Sequence, residues 1–136
     1  MEAQVKTQSQ VALHEFSPLA MAFLGDAVYE LFMRTRLLEE KEVKAASLST
    51  KAAAIVCATK QAALAQQLEP ELSEVELAVF KRGRNAKTRH QPRGTVAEYH
   101  QATGLEALLG YLYQFGYNDR LDEILWRCWH LCRSPV

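Results

Sequence analysis

Two carboxylates about eighty residues apart are the strongest candidates for chemistry in this sequence. Asp26 lies in residues 23–30, which read FLGDAVYE, and Glu106 lies in residues 104–113, which read GLEALLGYLY. Both segments are mostly apolar, and burying a carboxylate among apolar side chains is costly unless the group is paired. Magnesium accepts carboxylate oxygens as ligands. If folding brings Asp26 and Glu106 together, the two side chains can form a magnesium site.

A solvated position is the alternative interpretation of both carboxylates. Asp26, Glu30 and Arg34 follow one another at intervals of four residues, which is also the spacing of an exposed polar stripe on a helix. Glu106 could likewise lie on a solvated face. Glycine inside a helix costs about 1 kcal/mol relative to alanine. Three glycines in these segments therefore indicate close packing of helices: Gly25, Gly104 and Gly110.

Helix signals predict the elements that must position these carboxylates, and no strand pattern is present. Ser17 followed by Pro18 indicates a helix start, and this helix is expected to run to about Leu38. An alanine-rich helix is expected over residues 43–68, before Pro70. A weak turn is predicted over residues 11–16, and residues 1–10 are expected to be flexible.

Capping signals predict three further helices. Ser73 with Glu76 and Thr95 with Glu98 are capping boxes, each predicted to open a helix. Asn118 is expected to cap a last helix, whose apolar face carries Leu121, Ile124, Leu125, Cys128, Leu131 and Cys132. The sequence therefore predicts a single all-α domain of five to seven helices over residues 1–136.

The charge of the chain is balanced overall but not locally. Sixteen Lys and Arg residues equal sixteen Asp and Glu residues, so net charge gives no argument for a polyanionic partner. Residues 81–94, the basic segment, contain no acidic residue and six basic ones: Lys81, Arg82, Arg84, Lys87, Arg89 and Arg93. A solvated loop is one interpretation of this segment. A phosphate-binding element is the other.

Other classes of protein find little support in the sequence. No apolar run approaches the length of a membrane span, and the first ten residues lack the layout of a secretory signal. Three cysteines without paired spacing favour a reducing cytoplasm. Cys128 and Cys132 share a helix face but His130 lies on the opposite side, so the ligands that zinc needs are not supplied.

Three segments resemble the catalytic domain of the ribonuclease III family: FLGDAV at 23–28, KRGRNAK at 81–87 and TGLEALLGY at 103–111. The similarity covers about residues 18–131. It is closer to the short bacterial branch, Mini-ribonuclease III, which lacks a separate double-stranded-RNA-binding domain. The resemblance implies an all-α, homodimeric endoribonuclease that cuts double-stranded RNA. It also implies a requirement for Mg²⁺, for which Mn²⁺ can substitute.

The resemblance implies catalytic and metal-binding roles for Asp26 and Glu106. The larger enzymes of the family carry further carboxylates in the same two helices. Here those positions hold Leu19, Ala22 and Thr103, and the short branch is similar in this respect. A second metal ion would therefore depend more on RNA phosphate and water than on the protein.

Two surfaces are implied in addition to the carboxylates. RNA binding is expected from the basic segment, through Lys81, Arg82, Arg84, Asn85, Lys87, Arg89 and Arg93. Dimerisation is expected through the first long helix, whose apolar residues could equally belong to the core of one chain: Phe23, Leu24, Ala27, Leu31 and Phe32.

The function expected from the resemblance is maturation of precursor large-subunit (23S) ribosomal RNA in the cytoplasm, with a ribosomal protein as a candidate accessory factor and no membrane partner. The alternative is a catalytically silent RNA-binding or assembly module, which the three missing carboxylates motivate. A helical protein-interaction domain would explain neither the basic segment nor the placement of Asp26 and Glu106.

Overall fold

Six α-helices form the part of the chain that the computed structural model describes, which is residues 16–40, 44–87 and 95–133. The helices are α1 (Pro18–Leu38), α2 (Ala45–Ile55), α3 (Ala58–Leu68), α4 (Glu74–Arg84), α5 (Val96–Gln114) and α6 (Asn118–Arg133). A 3-10 turn, Glu69–Glu71, joins α3 to α4, and the described residues contain no strand. The predicted all-α class is confirmed. The predictions for residues 1–10, for most of the turn at 11–16, and for Arg89 and Arg93 concern positions outside the described residues.

The predicted start of α1 is confirmed in its details. The Ser17 side chain accepts a hydrogen bond from the Ala20 amide at 3.3 Å, and Pro18 occupies the first helical position, where no amide hydrogen is needed. The helix ends at Leu38, as its sequence predicts. These interactions fix the direction in which α1 enters the fold.

Both predicted capping boxes are present. The Ser73 amide donates to Glu76 Oε1 at 2.8 Å and the Glu76 amide donates to Ser73 Oγ at 3.2 Å. The Thr95 amide donates to Glu98 at 3.2 Å, and the Glu98 amide donates to Thr95 Oγ1 at 3.0 Å. These pairs satisfy amides that have no partner inside the helix. They establish where α4 and α5 begin.

The last helix begins close to its predicted cap. The Leu121 amide donates to the Tyr117 carbonyl at 2.9 Å, so the first helical turn starts one residue before Asn118. The predicted apolar face does pack inward. Its buried members are Leu121, Ile124, Leu125 and Cys128, and Leu131 and Cys132 are half-buried against the core.

The prediction of one helix over residues 43–68 is wrong, because the helix is interrupted at Val56 and Cys57 and two separate helices form. Cys57 adopts an extended conformation (φ −103°, ψ 154°) before α3 begins. The Tyr29 hydroxyl of α1 donates to the Ile55 carbonyl at 3.1 Å and so satisfies a carbonyl at the end of α2. A contact from a distant helix therefore supports this end, although the alanine-rich sequence contains no helix breaker there.

Helix α5 is the centre of the fold. It packs against α1, α4 and α3, and its residues 102–112 are buried on every side except at Glu106. A helix that is apolar all round belongs in a core. The surrounding helices contribute large side chains to the same core, among them Tyr29, Met33, Leu64 and Phe80. Within the described residues, no helix has the combination of length and apolar character needed to cross a membrane.

Candidate active site

Two glycines allow α1 and α5 to approach each other more closely than larger residues would permit. A Cβ atom at Gly25 would overlap the carbonyl oxygen of Glu106, and a Cβ atom at Gly110 would overlap the carbonyl oxygen of Met21. The backbones of the two helices are therefore in direct contact at this crossing. The close packing predicted from Gly25 and Gly110 is confirmed. Gly104 is also tightly packed, against Phe80 of α4.

This crossing brings Asp26 and Glu106 together. Asp26 directly follows Gly25 on α1, while Glu106 is on the turn of α5 that Gly25 touches. Their carboxyl groups are close enough to form a hydrogen bond when Glu106 is protonated. Asp26 is exposed, whereas Glu106 is mostly buried and is the only residue of the 102–112 stretch that is not fully buried. The two carboxylates thus meet at the boundary between the core and solvent.

The surroundings of Glu106 oppose its negative charge. Burial is the largest effect and the neighbouring Asp26 carboxyl is the next, and together they raise the pKa of Glu106 to about 8. Two carboxylates this close repel each other when both are ionised. A divalent cation between them would remove this repulsion. A close pair of carboxyl groups with one raised pKa is therefore a candidate metal-binding pair.

The chemistry of this donor set suits a hard cation. Asp26 and Glu106 supply carboxylate oxygens, and magnesium usually takes one or two carboxylates while keeping water and substrate phosphate as its other ligands. No third Asp, Glu, His or Cys joins a metal-binding cluster within the described ranges. Thr103 uses its hydroxyl to donate to the Tyr99 carbonyl at 2.9 Å, and Ala22 is buried. The residues present therefore fit one ion better than two.

Gln61 of α3 is a third polar residue at this pair, and the sequence prediction missed it. Its side chain lies beside the Glu106 carboxylate and is 96% buried, with 4% of its surface exposed. The sequence carries one signal for it. Gln61 precedes Leu64, Ala65 and Leu68 at intervals of three, four and seven residues, so it stands on the apolar face of α3.

A groove runs from Asp26 between α1 and α2, and residues of both helices line it. It encloses about 610 Å³, and Asp26, Glu30 and Arg34 lie on its α1 side. Glu30 and Arg34 form an ion pair one turn apart. The polar stripe predicted from their spacing is therefore present. Asp26 differs from the other two because it also contacts Glu106.

The described part of the basic segment starts beside the same turn of α5. Gly83 of α4 packs against Gly104 and Ala107, the neighbours of Glu106 along the helix. Lys81 and Lys87 are exposed, so their ammonium groups are free to meet a polyanion. Asn85 is exposed at the end of α4, where its backbone N–H donates a hydrogen bond to the Lys81 carbonyl at 2.9 Å.

Two arginines of the basic segment are engaged within the protein. Arg82 is half-buried, donates to the Phe16 carbonyl at 3.2 Å and stacks on the Phe16 ring. Arg84 lies 3.9 Å from a Glu69 oxygen and packs over the Phe80 ring. These contacts hold the end of α4 in place. They leave Lys81 and Lys87 as the more accessible cations of the described segment.

Comparison with known proteins shows which family shares this arrangement. Residues 19–117 match the ribonuclease III domain family. The chain is 50% identical over 109 residues to a Mini-ribonuclease 3 from Symbiobacterium thermophilum, covering 79% of this chain and 84% of that protein. It is 44% identical over 110 residues to a Mini-ribonuclease 3 from Thermoanaerobacter, covering 80% and 78% respectively.

The chain belongs to the ribonuclease III family. A crystal structure of a protein from Fusobacterium nucleatum superimposes with a TM-score of 0.75 at 32% identity, covering 83% of this chain and 91% of that one. The fold predicted from the sequence, the resemblance to the Mini-ribonuclease III branch and the enzyme class, a ribonuclease III-type endoribonuclease, are confirmed. Enzymes of this family generally depend on a divalent metal and act on double-stranded RNA.

One face of α1 exposes large apolar side chains. Phe23 is 83% exposed and Leu31 is 70% exposed, and the exposed Ala27 lies between them at intervals of four residues. Leu24 is half-buried. Phe32 packs edge-on against Trp126 at 5.3 Å between ring centres, so it contributes to the fold of its own chain. The apolar strip 23, 27 and 31 adjoins the polar stripe that begins at Asp26.

Proposed function

We propose that this member of the ribonuclease III family is a magnesium-dependent endoribonuclease, and that Asp26 and Glu106 hold the metal ion at its active site. The observation that carries the proposal is the contact between these two carboxyl groups at the glycine-lined crossing of α1 and α5. We further propose that Mn²⁺ can replace Mg²⁺, because the donors are oxygens that both ions accept.

Asp26 and Glu106 would act by holding two carboxylate groups in fixed positions on α1 and α5. When bound, the cation would lower the pKa of a coordinated water and neutralise charge on the scissile phosphate. Asp26 and Glu106 would keep their positions, because the backbones of α1 and α5 are in direct contact beside both residues. Burial favours the protonated form of Glu106, whereas a cation binds only the ionised carboxylate. Metal binding would therefore release the proton of Glu106.

We propose that the active form is a two-fold homodimer built on the apolar strip of Phe23, Ala27 and Leu31. A monomer would leave two large apolar side chains in water on one helix face. Asp26 lies on the neighbouring stripe of α1, so a dimer formed through this strip would carry one carboxylate pair beside each edge of the interface. Two equivalent sites are what cleavage of both strands of a duplex requires.

Binding of the duplex would draw on the basic segment. Double-stranded RNA is recognised mainly through its shape and backbone. Lys81 and Lys87 are exposed, and Gly83, which lies between them in the sequence, packs against the turn of α5 that carries Glu106. Arg89 and Arg93 complete the proposed set. Arg82, Arg84 and Asn85 would act mainly by fixing the end of α4.

The natural substrate proposed from the resemblance to the short branch is precursor large-subunit ribosomal RNA, cut in the cytoplasm with a ribosomal protein as accessory factor. We also propose that residues 1–136 function as a single domain. The unpaired state of all three cysteines is compatible with a reducing compartment.

A cleavage assay with a labelled RNA duplex and magnesium tests the proposal. Asp26→Asn and Glu106→Gln should each abolish single-turnover cleavage but leave duplex binding intact. Asp122→Asn, which alters an exposed carboxylate on α6, serves as the matched control and should cleave normally. Binding without cleavage by the unmodified protein would support the silent module. Normal cleavage by either active-site variant would contradict the metal-binding assignment.

A further inference from the structure

The side-chain amide of Gln61 is buried beside the Glu106 carboxylate. Gln61 is one of three buried polar or charged residues within the described ranges, together with Glu76 and Thr103. Glu76 binds Arg120 and the Ser73 amide, and Thr103 donates to the Tyr99 carbonyl. Both of those residues have partners that explain their burial.

Gln61 differs because its Nε2 atom has no hydrogen bond to any described residue. A buried donor without a partner lowers stability, so such a group usually has a use that its packing alone does not reveal. The side chain reaches the Glu106 carboxylate across the contact between α3 and α5. The last torsion of a glutamine is broad, so the amide is able to rotate within its packed position.

We propose that Gln61 is a positioning residue for metal binding, and that its Nε2 donates a hydrogen bond to the Glu106 carboxylate when Asp26 and Glu106 share a divalent cation. This inference rests on the proposed function of the pair. A carboxylate ligand needs an outer partner to fix its orientation, because a free carboxyl group rotates about its own bond. Of the carboxylate oxygens at the site, those of Glu106 lie next to a buried donor whose own position is set by packing.

The effect of Gln61 on charge agrees with this role. An amide N–H that faces a carboxylate favours its ionised form, which is the form that binds a cation. The Arg34 guanidinium on the neighbouring polar stripe is already paired with Glu30. Gln61 is thus a neutral donor that supports the metal-binding form of Glu106 without adding a positive charge that would repel the cation.

Direct measurement of Mn²⁺ affinity in the absence of RNA tests this inference. Gln61→Met keeps the length of the side chain and removes the donor. Gln67→Met, at an exposed glutamine six residues further along α3, is the matched control. Electron paramagnetic resonance of free Mn²⁺ should show affinity weakened at least about tenfold in Gln61→Met and unchanged in Gln67→Met. The thermal stability of Gln61→Met should equal or exceed that of the unmodified protein.

The same titration of Asp26→Asn and Glu106→Gln separates the two levels of the proposal. If both of these variants lose Mn²⁺ binding while Gln61→Met binds as tightly as the unmodified protein, the role of Gln61 is overturned and the metal site stands. If Asp26→Asn and Glu106→Gln bind Mn²⁺ normally, the metal site itself is overturned, and the role of Gln61 with it. Gln61→Leu provides a second variant. Failure of both Gln61 variants to fold would show a packing role and would also overturn the inference.

Discussion

Replacing Glu106 with glutamine should change how the stability of the metal-free protein depends on pH. Burial and the Asp26 carboxyl raise the pKa of Glu106 from 4.5 to about 8 in the folded state. The folded state therefore binds the proton more tightly than the unfolded state does. The stabilisation linked to this proton is fully present below pH 4.5 and is lost as the pH rises through 8. Glu106→Gln removes the titrating carboxyl group, so the variant should not show this loss of stability at high pH.

The magnitude follows from the two pKa values. One pKa unit corresponds to about 1.36 kcal/mol, so the interval from 4.5 to about 8 sets an upper limit of ~5 kcal/mol. Between pH 5 and pH 9 most of this interval is crossed. Relaxation of the exposed Asp26 side chain reduces the repulsion. We therefore expect the unfolding free energy of Glu106→Gln, relative to that of the unmodified protein, to be ~2–4 kcal/mol higher at pH 9 than at pH 5.

Urea unfolding in EDTA at pH 5, 6, 7, 8 and 9 measures this difference. The protein concentration must be held constant, because dimerisation would contribute to the apparent stability. Asp122→Asn should give a profile parallel to that of the unmodified protein. Saturating Mg²⁺ should reduce the advantage of Glu106→Gln at pH 9, since the cation would bind the ionised pair. If the Glu106→Gln profile also runs parallel to that of the unmodified protein in EDTA, the described environment of Glu106 is incorrect.

Three other variants test the helix crossing, the RNA-binding lysines and the proposed dimer interface. Gly110→Ala should force α1 away from α5 and cost ~3 kcal/mol of stability together with most of the cleavage activity; an unaffected urea midpoint would contradict the close crossing. Replacing Lys81 and Lys87 with glutamine should weaken duplex binding and make the slope of log affinity against log salt shallower by up to ~2. An unchanged slope would remove these lysines from the interface. Phe23→Asp should convert the proposed dimer to a monomer in sedimentation equilibrium, and a persistent dimer would show that the interface lies elsewhere.

Local signals in the sequence predicted the starts of α1, α4 and α5 because the interactions that make them are local. Ser73 and Glu76, for example, satisfy each other's amides within three residues. The break between α2 and α3 could not be predicted in this way. It depends in part on a hydroxyl from Tyr29, which precedes Ile55 by twenty-six residues and meets it only after folding.

The same distinction applies to the candidate active site. The glycines beside Asp26 and Glu106 indicated a close helix crossing, and the structure has one. Gln61 was not predicted, because its place on the apolar face of α3 does not show that it lies beside Glu106 until α3 is packed against α5. The engagement of Arg82 with Phe16 was also beyond the reach of the sequence, since a basic run does not show which of its members fold back onto the protein.

Anomalous diffraction from crystals grown with Mn²⁺ tests the central claim most directly. We expect a peak within direct coordination distance of one oxygen from Asp26 and one from Glu106, and no peak there in crystals of Asp26→Asn. A preparation that cleaves duplex RNA with Mn²⁺ but places its ion away from both carboxylates would contradict the claim.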